Sequence, residues 1–156
     1  MQRGIDHLVL CVRDLQAATA RYAAFGFTTT PRAEHPWGTA NSLVQLDGNF
    51  LELLTVARME RIVAPAPSDF SFGAFNRDFL AKREGLSMLV FESHDARADR
   101  AAFRANGLTT YAPFDFERLA PLPDGSTAKV GFSLAFVTDA RLAEAAFFTC
   151  QQRAPQ

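Results

Sequence analysis

From Ile5 to Val12 the chain reads Ile-Asp-His-Leu-Val-Leu-Cys-Val, a β-branched and apolar stretch of strand length. The two-residue period of a strand puts His7, Val9 and Cys11 on one face and Leu8, Leu10 and Val12 on the other. Asp14 then offers a carboxylate to the first free N–H groups of a helix. Leu15, Ala18, Tyr22 and Phe25 follow at helical spacing, and Gly26 is a natural stop. That helix is expected to cover Leu8 and Leu10, which leaves His7 on the open face. Phe27–Arg32 reads as a second strand, and Glu34-His35-Pro36-Trp37-Gly38 as a loop. Asn41–Leu46 and Asn49–Val56 flank Asp47-Gly48, a short hairpin signal. In the last of these strands Phe50, Glu52 and Leu54 share one face, and Leu51 and Leu53 the other.

The pattern then repeats. Residues 4–10 return 81 positions later as residues 85–91, without a gap, and ten of the 29 positions from Gly4 to Arg32 are identical to their partners. Asp14 falls on Asp95, Gly26 on Gly107 and Thr28-Thr29 on Thr109-Thr110, whereas His7 falls on Met88. The chain is therefore one strand–helix–three-strand unit used twice. Module 1 spans residues 4–56 and module 2 residues 85–152, within a single domain of residues 1–156. The linker, 57–84, holds Pro65, Pro67 and Ser68 and then a short helix over Phe75–Lys82. In module 2 the later strands are expected at Leu108–Leu119, at Ala128–Val137 after a Pro123-Asp124-Gly125 turn, and at Ala145–Gln151. The fold class is α+β.

Composition adds boundaries. A net charge of −1 with 16 basic and 17 acidic residues gives no electrostatic footprint for nucleic acid or an anionic membrane. Cys11 and Cys150 are too few for a disulfide framework and sit in apolar runs, as buried thiols of a reducing compartment do. No apolar run approaches the ~20 residues that span a bilayer, and no leader-like segment precedes the first strand. The expectation is a cytoplasmic protein.

A doubled unit opening on Ile5-Asp6-His7-Leu8-Val9-Leu10 resembles the vicinal oxygen chelate superfamily, which includes glyoxalase I, extradiol dioxygenases and bleomycin-resistance proteins. His35–Asn41, Phe50–Leu54, Phe72–Phe79 and Phe147–Gln151 are similar to its bacterial glyoxalase-like domain subgroup. The resemblance implies that the two modules curl into a cup of mixed sheet with helices outside, and that such cups pair as homodimers. It also implies that the first and last strands of each module send metal ligands into the cup. Carried over, His7 and Glu52 take the two positions of module 1, and imidazole with carboxylate suits one divalent Zn, Ni, Mn or Fe ion. In module 2, Met88 stands in the place of a histidine and Thr149 in that of a glutamate, with Gln151 as a substitute oxygen donor on the same face. This half-site leaves open whether any metal binds.

Without metal, a His7–Glu52 pair still has general acid–base capacity, since desolvation among Phe50, Leu51, Leu53 and Leu54 is expected to raise the carboxylate pKa. Trp37 is a candidate ligand lid. Asn41, Gln45, Phe50, Met88 and Phe116 are candidate cup-lining residues, and Phe114, Glu117 and Arg118 a candidate wall. Asn76 and Arg77 are expected to brace the linker. His94 lies too far along its strand to replace the missing histidine, and Cys150 has no cationic base to activate it. Two functions follow: a glyoxalase-like lyase or isomerase acting on a small oxygenated metabolite, or a metal-free small-molecule binder of the bleomycin-resistance type. A dioxygenase is disfavoured, because its Fe(II) site needs two histidines and a carboxylate facing one cavity.

Overall fold

The computed structural model describes residues 3–121 and 127–153, with the backbone alone at 119–121 and 127–128. The Pro123-Asp124-Gly125 turn lies outside the described residues. Strand β1 (Ile5–Cys11) is followed by helix α1 (Leu15–Ala24), β2 (Ala33–Glu34), β3 (Thr39–Gln45) and β4 (Phe50–Val56). Helix α2 (Phe72–Lys82) occupies the linker. Module 2 then runs β5 (Gly85–Glu92), α3 (Ala96–Ala105), β6 (Thr109–Thr110), β7 (Phe114–Pro121), β8 (Thr127–Thr138) and β9 (Ala146–Arg153). Asp14 and Asp95 cap their helices as expected, Asp14 accepting from the Ala17 N–H and Asp95 from the Arg97 and Ala98 N–H groups. Gly26 and Gly107 close them at φ of +92° and +76°, values that only glycine adopts readily.

All the strands join one open mixed sheet in the order β2-β3-β4-β1-β5-β9-β8-β6, with β7 also paired to β8. The order mirrors about its middle. β1 runs parallel to β4 and β5 parallel to β9, while β1 and β5 pair antiparallel and join the modules. In register, Val9 lies beside Glu52, and its repeat partner Val90 lies beside Phe148.

Three sequence expectations are revised. The second strand is not Phe27–Arg32: Thr29 makes a single bridge to Val44, and pairing resumes only at Ala33. Leu108–Leu119 divides into β6 and β7 around Tyr111-Ala112-Pro113, because proline supplies no N–H to the ladder. Helix α2 starts three residues early, where the Ser71 hydroxyl caps it by accepting from the Ala74 N–H.

Two cores result. The smaller gathers Val12, Leu15, Ala40, Val44 and Leu53 under α1, with Leu10 and Leu51 packed against it. The larger lies on the inward face and joins Val9, Cys11, Met88, Val90 and Phe148 to Phe72 and Phe79 of α2. The linker helix thus fills the lower part of the sheet's concavity. Among the described residues no helix is long and apolar enough to cross a membrane.

Candidate functional site

Above that floor the inward face of the sheet remains hollow, as a cavity of roughly 540 Å³ lined by both modules. His7 stands at its base, 7% exposed. The β1–β5 register is irregular between Ile5 and His7, and there the Asp6 carboxylate meets the neighbouring ring, with Oδ1 2.5 Å from Nδ1. On the other side His7 Nε2 lies 3.6 Å from Glu52 Oε2. Asn41 on β3 donates from Nδ2 to Glu52 Oε1 at 2.6 Å. Phe50 stacks on the imidazole at 4.5 Å, and Phe148 meets it edge-on at 5.7 Å.

Two carboxylates, Asp6 and Glu52, flank the single imidazole of this cluster. Burial disfavours a protonated His7, but hydrogen bonds and charge from Asp6 and Glu52 outweigh it and push its pKa up to about 8. Burial likewise disfavours the Glu52 carboxylate, yet His7, His35 and Asn41 hold its pKa below the usual value. The pair therefore rests as imidazolium and carboxylate at neutral pH. A charged pair at this depth survives only because its remaining hydrogen-bonding capacity is largely used.

The cavity wall is aromatic. His35 places Nδ1 2.8 Å from Thr39 Oγ1 and stacks on Trp37 at 4.9 Å. Trp37 stands edge-on to Phe114 and Phe116 of β7, so the loop between β2 and β3 of module 1 closes against module 2. Phe116 stacks on Phe132, and the Arg118 guanidinium lies 5.6 Å over the Phe132 ring. Burial, followed by Arg118, keeps His35 below its ordinary pKa despite the Glu52 charge, so it is a neutral hydrogen-bonding ring at pH 7. Trp37 Nε1 is buried with no partner among the described residues.

Of the candidates drawn from sequence, His7, Trp37, Asn41, Phe50, Glu52 and Phe116 line this cavity, with Phe114 and Arg118 beside them. Gln45 does not, being exposed at the end of β3. Met88 faces inward but is 1% exposed within the larger core, below the cavity. Gln151 faces the other way, its Oε1 accepting from the Ala96 N–H of α3. Thr149 shares that outer face, and the residue in register with the Glu52 position is Phe148. Glu117 likewise faces outward, paired with Lys129 at 2.5 Å. Asn76 braces α2 from full burial, while Arg77 is paired at the surface with Asp78. His94 is exposed beside the α3 cap. Asp6, His35, Phe148 and Gln152 also line the cavity; of these, only Asp6 had a local signal, its place beside His7.

This donor set does not fit a divalent metal. His7 and Glu52 offer two donors, both already engaged, and no group of three histidine, cysteine or acidic side chains converges among the described residues. The Met88 position lies in the core, and the Phe148 position presents a hydrocarbon ring to His7.

The glyoxalase-like domain family model matches residues 5–156. No curated protein matches the sequence. Solved structures share the fold, among them a hypothetical protein from Bacillus halodurans C-125, 15% identical, with a TM-score of 0.70 over 99% of this chain and 97% of that one. Methylmalonyl-CoA epimerase from Mycobacterium tuberculosis is 17% identical, with a TM-score of 0.66 over 97% of this chain and 89% of that one. The Streptomyces coelicolor epimerase, in complex with 2-nitronate-propionyl-CoA, is also 17% identical, with a TM-score of 0.65 over 100% and 99% of the two chains.

Proposed function

The chain belongs to the glyoxalase-like domain family, and we propose that it binds a small, largely apolar, oxygenated metabolite in its cup without a metal ion. The observation that carries this reading is the Phe148 ring against His7, where a further metal ligand would have to stand. The cavity is the size of a small-molecule site and its wall is aromatic, so ring or acyl surface supplies most of the binding energy. His7 and Asn41 add fixed polar groups at its base.

A thermal-shift and Trp37-fluorescence screen of oxygenated metabolites tests the reading. Trp37 is the single tryptophan of the chain, so its emission reports on the cup alone. Ligands that shift both signals equally with and without a chelator are the expected result. A ligand whose binding requires one equivalent of divalent metal would overturn it.

One observation favours a catalytic version. Asp6 engages His7 Nδ1 and thereby turns Nε2 toward Glu52 and the cavity. A carboxylate beside an imidazolium can take a proton from carbon α to a carbonyl, while the imidazolium donates a hydrogen bond to the developing enolate oxygen. Return of a proton to the opposite face of the enolate would epimerise the carbon, and the two epimerases above are fold neighbours named for a CoA ester. Deuterium incorporation from D2O into a bound ligand, lost in Glu52→Gln, would establish it.

A further inference from the structure

We propose that the ligand of the cup carries an anionic group, a carboxylate or a phosphate, seated against Arg118. This rests on the reading of the cup as a small-molecule site and adds the chemical class of its occupant.

The placement follows from strand parity. Phe114, Phe116 and Arg118 alternate on β7 and lie in register with Leu134, Phe132 and Val130 of β8, all of them cavity-lining. Their neighbours Asp115 and Glu117 point outward and are paired, with Arg97 at 2.8 Å and with Lys129 at 2.5 Å. Among the other charged residues that border the cavity, Asp6 and Glu52 both contact His7, and Arg153 lies 3.9 Å from Glu117. Arg118 has no carboxylate within salt-bridge distance among the described residues.

Its guanidinium is nevertheless held in place. It lies over Phe132, which stacks on Phe116, so the cation ends a run of stacked rings. An aromatic or acyl body laid against Phe116 and Trp37 would bring an acidic group at its end to Arg118. The planar fork suits carboxylate and phosphate oxygens, and Arg118 is exposed, so a ligand can reach it. The Glu52 end of the cup holds two carboxylates, Asp6 and Glu52, against one imidazole, which leaves the anion's place at the other end.

Isothermal titration with 1-naphthoate, 1-naphthyl phosphate and the neutral 1-naphthamide tests this on three ligands with one ring system. At least one of the anions should bind wild-type protein about tenfold more tightly than the amide, and which one identifies the group. Arg118→Met should bring that anion down to the affinity of the amide without changing the amide itself, and Arg118→Lys should keep part of the preference. Equal binding of amide and anions, or unchanged anion affinity in Arg118→Met, overturns the anionic subsite while leaving the cup as a binding site. Failure of all three to bind wild-type protein overturns the aromatic cup and the subsite together.

Discussion

The ring of Phe148 stands edge-on to the imidazole of His7, with centroids 5.7 Å apart and planes at 71°. In register it is the counterpart of Glu52 in the second module. The wild-type protein should therefore retain far less than one equivalent of Zn, Ni, Mn or Fe when analysed by mass spectrometry without an affinity tag. Phe148→Glu supplies a third donor at the cost of a buried ring, and should be the variant whose melting temperature rises on adding Zn or Ni. Stoichiometric metal in the wild type would contradict this.

The raised pKa of His7 makes stability fall in alkali. Its folded value is about 8 against 6.5 for an unperturbed histidine, so the stabilisation is complete below pH ~6.5 and disappears as pH rises through 8. The amount is about 2 kcal/mol. Urea midpoints at pH 6 and pH 9 should differ accordingly, and His7→Gln should flatten the difference. Glu52 acts with the opposite sign: its contribution is present above the ordinary carboxylate pKa and lost as pH falls through the depressed folded value.

Asn76 is fully buried and holds the floor of the cup together. Its Nδ2 donates to the Phe72 carbonyl and its Oδ1 accepts from the Ser87 hydroxyl, both at 2.9 Å, tying α2 to β5. Asn76→Ala should cost about 2–3 kcal/mol, because it frees the Phe72 carbonyl and leaves the Ser87 hydroxyl only the Val9 carbonyl, at 3.5 Å. In Asn76→Ala/Ser87→Ala the second change should cost much less than Ser87→Ala does alone. Additive losses in chemical denaturation would show that the two do not act as a unit.

Burial pushes the thiols of Cys11 and Cys150 up to about 12. Neither should react with a disulfide reagent in the native protein at pH 8, and both should react on unfolding. Rapid labelling of Cys11 under native conditions would mean that the floor of the cup opens locally, whereas Cys150 borders the cavity and its labelling would not.

The doubled strand and helix were legible because every signal agreed at both copies: the caps at Asp14 and Asp95, the stops at Gly26 and Gly107, and the shared alternation of β1 and β5. The glyoxalase-like family was legible for the same reason, from the opening strand of the first module and the runs around Phe50 and Phe147. Parity in β9 was not legible. Phe147 and Phe148 are both apolar, so alternation does not say which faces inward, and a one-residue slip set Thr149 in the place of Phe148. Met88 shows a different limit. Alternation gives the face of a residue but not its depth, and depth was decided by Phe72 and Phe79 arriving from the linker helix. Gln45 fell outside because β3 outruns the cavity. His35 escaped notice because a residue beside proline reads as a turn, and its stacking on Trp37 is set by the fold.

The mirrored strand order has a consequence for the direction in which a ligand sits. Two identical halves would offer a ligand two equivalent poses related by the pseudo-twofold axis, with either end of the molecule free to meet either half. Here one half contributes acids and imidazole, the other hydrocarbon rings and a guanidinium. A guest with dissimilar ends can settle in one direction only, so the loss of symmetry decides which end of an unsymmetrical molecule meets the acid and imidazole groups.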